Sequence, residues 1–306
     1  MTTSSSVGGR SAVQNYPKAV FFYIIALLIF ASQDGISKHL ASHYNAMTIV
    51  MIRYWAFAAF VVMLTVPKNG IKAVARSQQP WMQLGRGVLL GFQVILAAYQ
   101  FAVLGLVDTH VIFASYPIII TIFSIPLLGE QVGWARRLAV LTGFMGVLVI
   151  VQPGSSLFDP MALLPLFSAA LFALYNIMTR YVARTDHSDT SFFWTGIGGL
   201  LISSAIGPFF WHPPQGFDWV WMMILCVTGA SGHFFMIKSL EISEASSLQP
   251  FSYLQLVFAA SIGVIIFGEI ISLSVYIGGS IIIASGLFTI WRERIKKQQK
   301  APLELQ

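Results

Sequence analysis

The chain has 306 residues, of which 56% are hydrophobic and only 10% are charged. Soluble domains carry about 25% charged residues and need a polar exterior to meet water, so this composition excludes a water-soluble globular protein and makes lipid the expected solvent. The net charge of +6 could suggest nucleic acid, but the lysines and arginines lie in predicted short loops and tails, as in membrane proteins, and we predict no nucleic-acid partner.

The chain begins with a polar, serine-rich segment, residues 1–18, which predicts a disordered tail. The apolar segment that follows has no small-residue cleavage signal, so we interpret it as a retained first helix. A bilayer core needs about 20 mostly apolar residues per helix. On that basis the sequence predicts ten transmembrane helices, at 19–40, 46–66, 82–104, 109–128, 133–151, 161–181, 190–209, 218–240, 246–267 and 272–291.

The positive charges predict the orientation of these helices. If the N-terminus is cytoplasmic, all but two of the 18 lysines and arginines lie on the cytoplasmic side. The exceptions are Lys38 on the outer side and Arg53 inside a span. This asymmetry requires an even number of helices and predicts two cytoplasmic termini.

The two halves of the chain resemble each other in sequence. Residues 30–38 align with residues 172–180, which places Asp34 opposite Asn176, and Gly129-Glu130 matches Gly268-Glu269. We therefore predict two five-helix repeats, 19–151 and 161–291, followed by a basic cytoplasmic tail, 292–306. Because five is an odd number, the second repeat must enter the membrane inverted relative to the first. Inverted repeats are common among secondary transporters, whose substrate site lies at the interface between the repeats.

These features resemble those of a known family. Ten spans, two five-helix repeats, Gly-Glu after spans four and nine and a basic C-terminal tail are similar to the EamA branch of the drug/metabolite transporter superfamily, over residues 18–292. The resemblance implies an all-α integral membrane protein of the bacterial inner membrane, with two inverted bundles around a cavity, that moves small organic solutes without ATP. Residues 30–38 and 53–55 more weakly resemble the bacterial riboflavin permeases. That resemblance implies riboflavin uptake as the best candidate, with export of amino acids, related metabolites or drugs as the alternative.

Two charged residues inside spans are candidates for binding or gating, because a charge in the bilayer is costly. Asp34 and Arg53 lie at similar predicted depths, roughly 9–11 Å below the outer face at 1.5 Å per residue. They could pair with each other and face the cavity. Alternatively, they could form a structural ion pair, or Asp34 could pair with Lys38 four residues along its own helix.

Polar and aromatic residues in mid-span form a second candidate set, because an aromatic wall with a few amide and hydroxyl groups suits a flat heteroaromatic ligand. The alternative is ordinary hydrogen bonding between helices. The predicted lining residues are Gln93, Tyr99, Gln100, Tyr116, Tyr175, Asn176, Trp194, His233, Gln249 and Tyr253. Ser115 and Gln255 are further members, and Pro117, Pro126 and Pro250 are expected to interrupt helices near the site.

Two other classes of protein fit less well. The six histidines are scattered, the single cysteine lies in an apolar run and no phosphate-binding loop is present. We therefore expect neither an enzyme nor a bound metal or cofactor. A channel would show charged rings or a carbonyl filter, which the sequence lacks. For Glu130 and Glu269, at helix corners, we expect a structural role, and association of several copies remains open.

Overall fold

The computed structural model describes residues 16–129, 133–151 and 160–300. Within these ranges every regular element is helical. The helices are α1 Tyr16–Ala41, α2 Ala46–Asn69, α3 Ile71–Ala75, α4 Pro80–Leu104, α5 Leu106–Phe113, α6 Tyr116–Leu128, α7 Trp134–Val151, α8 Leu163–Val182, α9 Ser188–Ile206, α10 Asp218–Ile242, α11 Ala245–Phe267 and α12 Leu273–Lys300. Short 3-10 helices cover Pro160–Ala162 and Gly207–Phe210.

The helices match the ten predicted spans and confirm an all-α membrane protein. Eight described segments are long and apolar enough to cross a bilayer, and two shorter apolar stretches, Arg137–Ile150 in α7 and Leu273–Ser285 in α12, account for the other two spans. Large apolar side chains such as Phe21 and Ile265 are exposed on the surface. Exposing such a surface to water would cost free energy, whereas exposing it to lipid tails does not.

The fourth predicted span, 109–128, is present as one apolar segment, and its helix is interrupted next to Pro117, as expected. Residues 106–128 form two helices, α5 and α6, with a turn at Ala114 and Ser115. Pro117 explains the break, because it has no amide hydrogen to donate and its ring clashes with the carbonyl four residues earlier, that of Phe113, where α5 ends. Pro250 causes no such break, since α11 continues through it.

The two halves pack in a reciprocal pattern. The first helix of the first half, α1, packs on α10 and α11, while the first helix of the second half, α8, packs on α4 and on the α5–α6 pair. The remaining contacts between the halves include α2 with α9 and α7 with α12. This is the packing that a two-fold relation between the halves would produce. The exact division into repeats at 19–151 and 161–291 stays a prediction.

Glycines bring α4 and α9 into backbone contact. A Cβ on Gly87 would lie 2.5 Å from the Trp194 carbonyl oxygen and 3.0 Å from Gly198 Cα, and a Cβ on Gly91 would lie 3.0 Å from Gly199 Cα. Small residues at such positions let membrane helices approach closely. This contact holds α4, which carries cavity residues from the first half, against the second half.

Candidate functional site

A polar cavity of about 60 Å³ lies between the two halves, bordered by α1, α2, α4, α5, α8, α10 and α11. Polar side chains are costly in a membrane interior and mark functional sites there by default. The polar lining residues are Gln33, Asp34, Ser37, Arg53, Gln93, Gln100, Thr109, His110, His233 and Gln255. The rings of Phe30, Phe101, Phe113 and Phe172 complete the wall.

The Asp34 carboxylate is the point at which three helices meet in this cavity. His110 Nε2, from α5, lies 3.1 Å from Asp34 Oδ2, and Gln255 Nε2, from α11, donates a hydrogen bond of 3.2 Å to the same oxygen. The other carboxylate oxygen, Oδ1, has no partner among the described residues. His110 lies in the last turn of α5, so the break after Phe113 is next to this cluster.

Neither predicted ion pair of Asp34 is formed. Lys38 pairs with Glu269, not Asp34, because Glu269 lies at the end of α1. Gln255 donates a hydrogen bond to Asp34 and His110 Nε2 lies 3.1 Å from it, while Arg53 faces the same cavity without contacting the Asp34 carboxylate. Arg53 is 5% exposed, and the described part of the chain provides it with neither a hydrogen bond nor an ion pair.

His233 of α10 is also predicted and also lines the cavity. Its ring is stacked on Phe57, with centroids 6.0 Å apart, and meets Tyr175 edge to face at 6.1 Å. The ring therefore forms part of an aromatic wall, and its Nδ1 is buried without a described hydrogen-bond partner.

The two predicted glutamines of α4 line the cavity and tie it to α8. Gln93 Nε2 donates to Ser168 Oγ at 3.0 Å, and Gln100 Nε2 donates to the Leu164 carbonyl oxygen at 3.0 Å. Gln100 Oε1 is buried without a partner among the described residues, so this face retains an acceptor.

Three predicted residues lie away from the cavity. The side chain of Tyr99 is 46% exposed on the surface. Trp194 donates through Nε1 to the Ala75 carbonyl oxygen at 3.2 Å, and Gln249 donates to the Ala245 carbonyl oxygen of its own helix at 2.6 Å. Of the three, only Trp194 makes a hydrogen bond between helices, which was the alternative interpretation of the set.

The other four predicted residues are not among the described lining residues of the cavity. Tyr116 borders a smaller cavity of about 10 Å³ next to His110, and Tyr175 is fully buried behind His233. Asn176, the predicted counterpart of Asp34, donates to the Phe172 carbonyl oxygen at 2.8 Å. Tyr253 belongs to α11, but its side chain lies outside the described part of the structure.

Sequence reasoning missed Gln33, Ser37, Thr109 and His110. Two of these had a usable signal, because Phe30, Gln33, Asp34 and Ser37 follow the i, i+3, i+4, i+7 spacing of one helix face. His110 had none, since its approach to Asp34 depends on how α5 is placed against α1.

One end of the bundle, the predicted outer face, is joined by Glu269. Its carboxylate pairs with Lys38 of α1 and accepts hydrogen bonds from the backbone amides of Leu106, at 2.8 Å, and Val107, at 2.7 Å, in the first turn of α5. Partial burial alone would raise the pKa of Glu269, but these hydrogen bonds outweigh it and hold the pKa below its ordinary value. Gly105 permits the contact, because it has φ +85 and a Cβ there would lie 3.1 Å from Glu269 Oε1. Glu130 lies outside the described residues.

The opposite end is joined by a buried network around Arg86. This guanidinium donates to Thr179 Oγ1 at 3.0 Å, to Gln83 Oε1 at 2.9 Å and to the Ser191 carbonyl oxygen. Gln83 in turn donates to Asp186 Oδ2 at 2.9 Å. The network links α4, α8 and α9, so polar contacts between the two halves lie on both sides of the cavity.

Comparison with known proteins places this geometry in a family. The model of the EamA-like transporter family matches residues 17–152 and 160–291. The chain is 25% identical over 291 residues to an S-adenosylmethionine uptake transporter of Rickettsia felis, covering 95% of this chain and 98% of the relative. It is 26% identical over 297 residues to a riboflavin transporter of Vibrio cholerae, covering 94% and 99%.

Two further similarities point the same way. The chain is 24% identical over 268 residues to the pseudopaline exporter CntI of Pseudomonas aeruginosa, covering 87% of this chain and 93% of the relative. A crystal structure at 17% identity superposes with a TM-score of 0.70 over 91% of this chain and 98% of the other, which supports the fold. With a family match across both halves, the chain belongs to the EamA-like transporter family and is a membrane transporter, not an enzyme.

Proposed function

We propose that this transporter is a secondary carrier of the bacterial inner membrane that takes up a small organic metabolite by alternating access. The observation that carries the proposal is the polar cavity between two reciprocally packed halves, with contacts between the halves on both sides of it. Opening one set of contacts while the other stays closed would expose the cavity to one side at a time. Both termini are proposed to be cytoplasmic, from the charge asymmetry.

The size of the cavity fits a carrier in a closed conformation. A volume of about 60 Å³ has room for several water molecules, each of which needs about 10–15 Å³. Binding sites for drug-sized ligands measure about 300–1,000 Å³. The halves must therefore separate before an organic solute can enter, as alternating access requires.

The aromatic walls favour a solute with a flat ring. Phe30, Phe101, Phe113, Phe172 and His233 surround the polar groups, and aromatic side chains stack well on heteroaromatic rings. Riboflavin and S-adenosylmethionine, the solutes named for two relatives, both carry such a ring. Export, as named for a third relative, is the alternative direction.

The test is uptake by intact cells. Cells expressing the chain, and matched cells without it, are supplied with radiolabelled riboflavin or S-adenosylmethionine, and the protein is quantified in the inner membrane by immunoblotting. Saturable uptake of either solute supports the proposal. Uptake that rises linearly with concentration at every level would indicate a channel, and efflux from preloaded cells without uptake would indicate an exporter.

A further inference from the structure

Arg53 is a buried cation that makes no direct contact with a counterion among the described residues. Its guanidinium lines the cavity, its side chain is 5% exposed, and no described residue forms a hydrogen bond or ion pair with it. A guanidinium cannot shed its charge as a lysine can. An unpaired charge in a low-dielectric interior is costly, so buried charges are normally paired.

Asp34 acts electrostatically on Arg53 from a distance, but no described acidic group contacts the guanidinium. Asp34, the carboxylate in the cavity lining, is engaged through Oδ2 by His110 and Gln255, and Glu269 is engaged by Lys38 and two backbone amides. Arg53 and Asp34 thus face one cavity as separate charges, with the imidazoles of His110 and His233 as the other ionisable groups of its lining.

The fold holds Arg53 in position. A Cβ on Gly229 of α10 would lie 2.5 Å from Arg53 Nε and 3.1 Å from its Cζ. The guanidinium therefore lies against the backbone of α10, where any larger residue would displace it. Because the Arg53 side chain is confined by this packing, it cannot readily turn to a partner elsewhere.

We propose that Arg53 binds the carboxylate of the transported solute and that Asp34 binds its ammonium group, so that the solute is an α-amino acid or a conjugate that carries an intact amino-acid head. The guanidinium fork matches a carboxylate with two parallel hydrogen bonds, and Asp34 Oδ1 is the acceptor left available. A zwitterion compensates both charges at once, and the aromatic wall receives the rest of the molecule.

The inference rests on the proposed transport function and narrows its substrate class. It favours S-adenosylmethionine and free amino acids over riboflavin, which has neither a carboxylate nor an ammonium group. A solute with a phosphate in place of the carboxylate could also engage a guanidinium, but it would leave Asp34 unmatched unless it also carried an amine.

The experiment measures binding by purified protein in detergent, so that it does not depend on transport. The probes are S-adenosylmethionine, its decarboxylated analogue, the twenty common amino acids and riboflavin. Wild type is expected to bind S-adenosylmethionine or at least one amino acid, and to bind the matching decarboxylated amine at least about thirtyfold more weakly. In Arg53→Gln, the affinity for the zwitterion should fall by the same factor, and the affinity for the amine should change little.

Arg53→Lys, which keeps the charge without the fork, should give an intermediate loss, and Asp34→Asn should weaken the zwitterion but not its N-acetylated form. Tyr99→Phe, on the exposed surface, is the matched control and should bind as wild type does. If a variant elutes as aggregate, the affinities of wild type for the zwitterion and for the matching amine still test the proposal.

Three results would overturn the assignment. They are binding of riboflavin with an affinity unchanged in Arg53→Gln, an equal loss for zwitterion and amine in that variant, or no binding of any zwitterion. A failed uptake assay with intact zwitterion binding would instead count against the proposed transport function alone.

Discussion

The two buried arginines of this molecule differ in how their charges are satisfied. Arg86 is fully buried near the start of α4 and donates to Gln83, Thr179 and Ser191, with the Tyr175 ring 5.3 Å from its Cζ. Arg53 is buried almost as deeply in α2, yet the described structure provides it with no such partner.

This difference separates a structural charge from a binding charge. The partners of Arg86 come from three helices and use both terminal nitrogens, leaving only Nε without a described partner. Such a cation is part of the scaffold, and nothing else needs to bind it. Arg53 bears a similar burial cost without a hydrogen bond or a direct ion pair among the described residues, and the proposed carboxylate of the solute would supply both.

Removing Arg86 should have the largest effect on stability. Arg86→Met removes three hydrogen bonds from a charged donor, and each such bond is worth about 1.5–3 kcal/mol. Gln83 Oε1 loses its described donor, whereas Thr179 Oγ1 and the Ser191 carbonyl oxygen keep one other partner each. We expect a loss of about 3 kcal/mol or more in the free energy of unfolding, seen as a lower unfolding temperature of the purified protein in detergent. An unfolding temperature equal to that of wild type would show that the Arg86 network contributes nothing to stability.

Removing Arg53 should affect transport and spare stability. Arg53→Met replaces an unpaired buried charge with an apolar side chain of similar length, a change that is commonly neutral or stabilising. The unfolding temperature should equal or exceed that of wild type, while uptake of the transported solute falls by about thirtyfold or more, from loss of about 2 kcal/mol of binding. Destabilisation as large as that of Arg86→Met would contradict the distinction between the two arginines.

The same pair shows what the sequence could and could not reveal. Arg53 and Asp34 were identified because charges are rare inside spans, and the argument from depth placed both at the level of the cavity. Depth does not fix the direction in which a side chain points, so Asp34 forms a direct ion pair with neither Arg53 nor Lys38, although Asp34 and Arg53 both face the cavity. Glu269 pairs with Lys38 and Gln255 donates to Asp34, and each of these contacts joins residues more than 200 positions apart in the chain.

Other errors arose because lining residues were chosen by residue type, without asking which face of the helix each one occupies. Gln93 and Gln100 are seven residues apart and share a face of α4, whereas Tyr99, six residues after Gln93, points about 120° away at 3.6 residues per turn. The position on the helix face excludes Tyr99 from the lining of the cavity. The same criterion includes Gln33 and Ser37, which share a face of α1 with Asp34. His110 required the tertiary structure, because spacing along the chain does not determine how α5 is placed against α1 and hence how close His110 lies to Asp34.

The contact between Lys38 and Glu269 should have a smaller effect, on the closed state alone. Lys38→Met removes the ammonium while Glu269 keeps its backbone amides, so we expect a loss of about 1–1.4 kcal/mol, or up to a tenfold shift toward opening at that end. A cysteine introduced at the lining position Ser37, with Cys226 replaced by alanine, reports the shift through its reaction with a membrane-impermeant thiol reagent. Lys72→Met, at an exposed lysine of α3, is the matched control and should leave the labelling rate unchanged. Equal rates in both variants would exclude a gating role for Lys38.

The pH dependence of this contact gives the smallest expected effect. Because the folded-state pKa of Glu269 is lowered, its ionised form is favoured by folding, so the stabilisation is complete above the ordinary pKa of 4.5 and is lost as pH falls through the lower folded-state value. The difference in unfolding temperature between wild type and Glu269→Gln should therefore stay constant from about pH 8 to about pH 6 and shrink only below about pH 4.5. A difference that already shrinks near neutral pH would mean that burial dominates at Glu269. Lys38 and the α5 amides would then not hold the charge of Glu269.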